Sequence, residues 1–190
     1  MNILAEEISK IANTYVVAPD SPRSASGHAI TLHKPILIND EFIAENVEAY
    51  STSGTPADCV KVGIESILKD IEIDLVLSGI NNGPNLGTDV IYSGTVAAAI
   101  EGLVEGKPSI ALSCDSSKVS SGEYREAAKY TAKLIQKLEG NLDKLNGNIL
   151  NVNFPTGEKK GVRITKLGRR VYNNVMDDRQ SIRGQRYVWM

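Results

Sequence analysis

Ile3, Leu4, Ile8 and Ile11 recur at helical spacing, so residues 1–13 predict an amphipathic helix. The pattern then changes period. Thr14-Tyr-Val-Val-Ala is a short β-rich run closed by Pro19, which predicts a strand buried in a parallel sheet. Residues 21–28 (SPRSASGH) read as loop, and 28–40 as a pair of edge strands interrupted by Pro35. Thr55 as N-cap, Pro56 at the first helical position and Asp58 near the third mark a strong helix start for CVKVGIESIL. Residues 74–77 predict a further buried strand that runs into SGINNGPNLG. An Ala-rich helix over 94–105 follows, then a strand at 108–113, a long helix at 123–138 and a strand at 148–154. Strands alternating with helices define an α/β chain with a doubly wound, mostly parallel sheet.

After Gly161 only strand and loop patterning remains, with strand-like runs at 162–166 and 187–189. The chain therefore divides into an α/β core over 1–156 and a β-arm over 157–190. Both ends are abrupt. A doubly wound sheet usually begins with a central strand whose C-terminal loop carries function. Here the pattern opens on the helix that should follow such a strand, so the first strand is expected to be missing. The arm, which stops at Met190 within a strand pattern, is expected to be incomplete as well.

Charge separates the same two parts. Residues 1–156 hold 12 Lys/Arg against 20 Asp/Glu, a net −8, whereas 157–190 hold 9 against 3, a net +6. A basic arm can dock on an acidic body or attract an anion, and it can equally be a solvated hairpin. The whole chain of 190 residues carries net charge −2, which argues against general binding of nucleic-acid polymers. No apolar run reaches membrane-spanning length and no signal pattern follows Met1. Cys59 and Cys114 have no metal-ligand spacing and read as reduced, buried thiols, hence a cytoplasmic location.

Ligands in open α/β sheets bind beyond the C-terminal ends of the strands. Ser93-Gly94-Thr95 opens a helix with small residues, two hydroxyls and free N–H groups, a pattern suited to an anion but also to an ordinary Ser cap. GINNGPNLG offers neutral amide oxygens that suit a hard cation, more amides than a tight turn needs. His28 and His33 read as structural, with His28 the more interesting because it follows SASG. No GxGxxG, P-loop, GxSxG or HExxH pattern occurs.

Five blocks in order, VVAPDSPRSASGHAITL, SGTPADCV, LVLSGINNGPNLGTDVIYSGTVAAAIEG, ILNVNFP and GVRITKLGRRVY, resemble the signature blocks of the SurE family of survival-protein 5′/3′-nucleotidases. The resemblance covers essentially the whole chain, and its third block is long and specific. It implies a Rossmann-like α/β domain with a β-arm that assembles homodimers or homotetramers. It also implies metal-dependent hydrolysis of nucleoside monophosphates, with one divalent ion (Mg²⁺ or Mn²⁺) per subunit. By resemblance Ser24 and Asn81 are metal ligands, and Ser93, Gly94 and Thr95 lie at the phosphate. The family's two further ligands are the aspartates of an N-terminal NDDG motif, which this sequence lacks. Asp20, Asp58 and Asp89 have no spacing that would replace the pair. Activity in this form is accordingly in question. Two alternatives stay open: a phosphate- or nucleotide-binding module without hydrolysis, and an inactive fragment of a nucleotidase.

Overall fold

The protein is described by a computed structural model covering residues 2–115, 119–145, 147–172 and 176–189. Met1 and Met190, the ends of the expected first helix and last strand, lie outside the described residues, as does 173–175 within the arm.

Helix α1 (Asn2–Ile8) leads into β1 (Thr14–Pro19), then a hairpin of β2 (Ile38–Ala44) and β3 (Val47–Thr52). Helix α2 (Pro56–Val62) ends in a wide π-helical turn at Gly63–Ile67 and is followed by β4 (Val76–Asn82). A 3₁₀ turn (Gly87–Tyr92) precedes α3 (Gly94–Val104), then come β5 (Ser109–Cys114), α4 (Ser121–Leu138), a 3₁₀ turn (Leu142–Leu145) and β6 (Ile149–Phe154). The arm carries β7 (Asp177–Gln180) and β8 (Arg186–Trp189).

The α/β alternation is as expected, but the strands divide into two three-stranded sheets, ordered β1-β3-β2 and β4-β5-β6, with the arm as a separate two-stranded ribbon. In the second sheet all neighbours are parallel. In the first, β1 pairs parallel with β3 while β2 runs antiparallel at the edge. The expected pair of strands over 28–40 is replaced by the 38–44/47–52 hairpin. Residues 28–37 instead run as loop, and β3 supplies the partner that the interrupted pattern did not reveal.

β5 shows how the second sheet makes its core. All six of its residues are buried. Alternation sends Ile110 and Leu112 to one face, where they meet Leu4, Ile8, Ala128 and Ala132 of α1 and α4. It sends Ala111 to the other, against Val96 and Ala99 of α3. Small residues there let α3 lie close: a Cβ at Gly102 would fall 2.4 Å from Ser109 Oγ and 2.9 Å from Val76 Cβ.

Between the two sheets lies a cleft of about 970 Å³. Its walls are the facing edges of β1 and β4, with Leu4 and Ile8 on one side and Val60 and Ile64 on the other. α1 bridges it, since Ala5 packs with Val47 and Ala49 of the first sheet while Leu4 and Ile8 pack on the second. β1 and β4, each an edge strand of its sheet, thus face the cleft from either side.

The arm departs from its predicted form. Residues 162–166 form no strand; the stretch from 158 to 172 is irregular, and Ile164 is fully exposed. Only the later run at 187–189 is strand, within β8, paired antiparallel with β7. Val162–Lys166 alternates as a strand would, but alternation without a hydrogen-bonding neighbour cannot satisfy the backbone.

Candidate functional site

The C-terminal ends of β1 and β4 open toward the start of α3, so the cleft ends at the polar loops. Thr95, Asn81 and Asn82 line it together with Ala18, Pro19 and Pro56. Ser93 caps α3, its hydroxyl oxygen accepting from Val96 N–H at 3.1 Å. That contact uses one of the two hydroxyls counted in the sequence. Among the described residues Thr95 makes no such side-chain bond, and the N–H groups of Gly94 and Thr95 remain available for an anion.

The loop that carries Ser24 is pressed against this helix start. A Cβ at Gly94 would come within 2.7 Å of Ser26 Oγ and 2.9 Å of Pro56 Cγ, so only glycine lets the loop and α2 pack there. Gly27 N–H donates to Tyr92 carbonyl oxygen at 3.1 Å, and both Ala25 and Gly27 have positive φ. Arg23 closes the near end by donating to Asp20 and to Ser53 carbonyl oxygen (3.0 Å). Ser24 itself is exposed and does not line the cleft.

Asn81 Nδ2 donates to Gly83 carbonyl oxygen at 2.8 Å, which leaves its amide oxygen open toward the cleft end. The other amides of the loop do something different. Asn85 is buried; its N–H donates to Asn153 Oδ1 (2.8 Å) and its Nδ2 to Ser113 Oγ (2.6 Å). Asn151 and Asn153 both donate back to Asn85 carbonyl oxygen. The surplus of amides noted in the sequence thus splits: Asn85 ties the loop to β5 and β6, and explains why ILNVNF alternates asparagine.

The three remaining aspartates are all engaged elsewhere. Asp20 accepts from Ser21 and Arg23. Asp89 Oδ2 accepts from Arg170 Nη1 at 2.6 Å and from Tyr172 at 2.5 Å, with the Arg170 guanidinium 4.8 Å from the Tyr172 ring centre. The base of the arm is thereby held on its own chain. Asp58, 2% exposed, accepts from Thr31 N–H and hydroxyl (2.9 and 2.6 Å) and from Thr55 N–H (2.8 Å). Burial alone would raise its carboxyl, but these hydrogen bonds outweigh it and hold the group below its ordinary value.

The donor set decides how a metal would fare. Among the described residues no group of three or more His, Cys, Asp or Glu side chains could hold an ion. Ser24 and Asn81 are neutral, and a hard divalent cation draws its affinity from carboxylates. These residues by themselves do not fit a divalent ion. The thiols do not fit one either. Cys59 and Cys114 are free and buried; Cys59 lies 3.2 Å from Thr52 Oγ1, and burial pushes its thiol up to about 11. Burial raises the Cys114 thiol too.

A mostly parallel α/β arrangement whose strands end at a glycine-packed helix start defines a protein of the doubly wound α/β class. The profile of the survival protein SurE family matches residues 1–174, and the chain belongs to that family. It is 46% identical to the 5′-nucleotidase SurE of Alkaliphilus metalliredigens over 192 residues, covering 99% of this chain and 74% of that protein. It is 49% identical to the 5′-nucleotidase SurE of Carboxydothermus hydrogenoformans over 180 residues, covering 92% and 67%. The crystal structure of SurE from Aquifex aeolicus superposes with a TM-score of 0.79 at 37% identity, over 99% of this chain and 75% of that one. No described helix is long and apolar enough to cross a membrane.

Proposed function

We propose that the chain acts on nucleoside monophosphates as a 5′-nucleotidase, a phosphoric monoester hydrolase that transfers the phosphoryl group to water and frees the nucleoside. The observation that carries this reading is the start of α3 at the mouth of the cleft. Gly94 and Thr95 present N–H groups and a hydroxyl where the helix dipole favours an anion, and Asn81 faces the same opening. Ser93, Gly94 and Thr95 bind the phosphate in this reading. Replacing Thr95 by valine removes one hydrogen bond to a charged group, about 1.5–3 kcal/mol, so inorganic phosphate should bind roughly tenfold or more weakly. A phosphate titration followed at the α3 amides checks this; an unchanged affinity places the anion elsewhere.

Ser24 and Asn81 would be two of the ligands of a divalent ion, Mg²⁺ or Mn²⁺, one per subunit, only where carboxylates beyond these neutral residues complete the set. The neutral character of that pair favours, as a second reading, a module that binds phosphate or nucleotide without hydrolysing it. Phosphate release from a nucleotide panel with and without Mn²⁺ separates the two: binding without release supports the second.

The arm is proposed to assemble homodimers or homotetramers. Ile164, Ile182 and Trp189 are all strongly exposed, and a lone two-stranded ribbon is marginal in water. Ending the chain after Tyr172 keeps the Arg170 and Tyr172 bonds to Asp89 and removes the ribbon. Sedimentation at low salt should then give monomers, whereas retained mass would assign the interface to the α/β body. A cytoplasmic location is proposed from the two free, buried thiols.

A further inference from the structure

We propose that His28 and Glu101 are positioning residues, a side-chain tie that holds the Ser24 loop on α3 and so controls how well the start of that helix receives phosphate. The proposal rests on the reading of that helix start as the anion site.

Glu101 sits two turns down α3 from Thr95 and is 5% exposed. A carboxylate buried this far needs a partner. His28 Nε2 lies 2.6 Å from its Oε2. Lys61 is 4.0 Å from its other oxygen, but that ammonium is already bonded to Glu105 at 2.8 Å and Glu65 at 2.9 Å. The groups around the contact are thus Glu101 and Glu105 from α3, with Lys61 and Glu65 from α2 and the turn that ends it. Three carboxylates face one ammonium and the imidazole. His28 is therefore the closest described partner of a buried charge.

The other end of the contact explains its reach. Between residues 24 and 29, His28 is the one residue with a described side-chain hydrogen bond. Otherwise the segment is held by backbone contacts: Gly27 N–H to Tyr92, and Ala29 carbonyl oxygen accepting from Thr55 Oγ1 at 2.6 Å. The buried Ser26 hydroxyl has no partner and bears on the Gly94 position. Ser24 lies two residues from it. Releasing His28 leaves this segment, with positive φ at Ala25 and Gly27, without a described side-chain hydrogen bond of its own.

Imidazole Nε2–H can donate a single hydrogen bond to Glu101 Oε2. The test uses the chain as it is. Hydrogen exchange at the amides of 24–27 and inorganic phosphate titration are measured for the parent, His28→Asn, His28→Ala and Glu101→Gln.

His28→Ala should exchange about tenfold faster at 24–27 and bind phosphate several-fold more weakly. His28→Asn, which keeps a neutral donor, should recover part of both effects. Glu101→Gln should also speed exchange at 24–27, even though His28 is present. If loop exchange in His28→Ala equals that of the parent, or if His28→Asn recovers nothing relative to His28→Ala, the proposal is wrong. If exchange accelerates while no variant or parent binds phosphate, the tie stands and the anion site fails. Because His28 is one-third exposed at its side chain, its variants should fold even if the buried Glu101 variant does not.

Discussion

Replacing Asp58 by alanine should cost about 3–5 kcal/mol, because three donors would be left facing a buried apolar methyl group. Thr31 N–H, Thr31 hydroxyl and Thr55 N–H all converge on this carboxylate, and Thr55 hydroxyl in turn accepts from Asp58 N–H. One side chain thus closes the capping box of α2 and pins the loop that follows His28. Urea denaturation should show the midpoint falling with little change in slope. The same group fixes a pH dependence. Its carboxyl is held below the ordinary value, so its contribution is fully present above the unfolded value of about 3.9 and is lost as pH falls through the folded one. Acid unfolding of the parent should steepen below about pH 4. An Asp58→Asn variant should lack that component, and an identical acid limb in both proteins would remove Asp58 from the account.

The second large effect concerns the cleft. Extending the chain at its N-terminus by one apolar, β-branched strand followed by two aspartates should raise stability and create a metal site together. The strand can hydrogen-bond to β1 and β4 at once, and its side chains would enter a space already lined by Leu4, Ile8, Val60 and Ile64. A net gain of roughly 3 kcal/mol would move the melting temperature by about 6–12 °C for a chain of this size. The two carboxylates would join Asn81 at the strand ends and give Mn²⁺ the negative charge that Ser24 and Asn81 lack. Calorimetry should find Mn²⁺ binding in the extended chain and only weak binding in the present one. An unchanged melting temperature would show that the cleft does not take a strand. Tight Mn²⁺ binding by the present chain would show that its own residues suffice.

Much of the fold was legible because it rests on short-range chemistry. Thr55, Pro56 and Asp58 announce α2 by cap geometry that needs only neighbouring residues, and the structure places the helix at Pro56–Val62. The buried run at 109–114 and the long helix to Leu138 follow from hydrophobic periodicity, although the Ser120–Glu123 capping box that starts α4 went unread. β3 was missed because Val47-Glu-Ala-Tyr-Ser-Thr mixes exposed and buried positions, and its identity as a strand comes from pairing with β1 and β2 on either side.

The site divides the same way. Ser93-Gly94-Thr95 could be found as a helix start from residue types alone, and the free, buried state of the two cysteines from their number and spacing. The SurE family could be read from ordered motif blocks. By itself the sequence therefore determined the α/β alternation, the helix caps and the family. Tertiary structure decided what those motifs touch. It spent Asn85 on Ser113 and Asn153, Asp89 on Arg170 and Tyr172, and Glu101 on His28, partners 28 to 83 residues apart. It also divided the expected sheet into two around a cleft. The physical reason is common to all of these. A polar side chain's role depends on which donor or acceptor reaches it once water is excluded, and a strand's on which edge it meets; neither is encoded in local spacing.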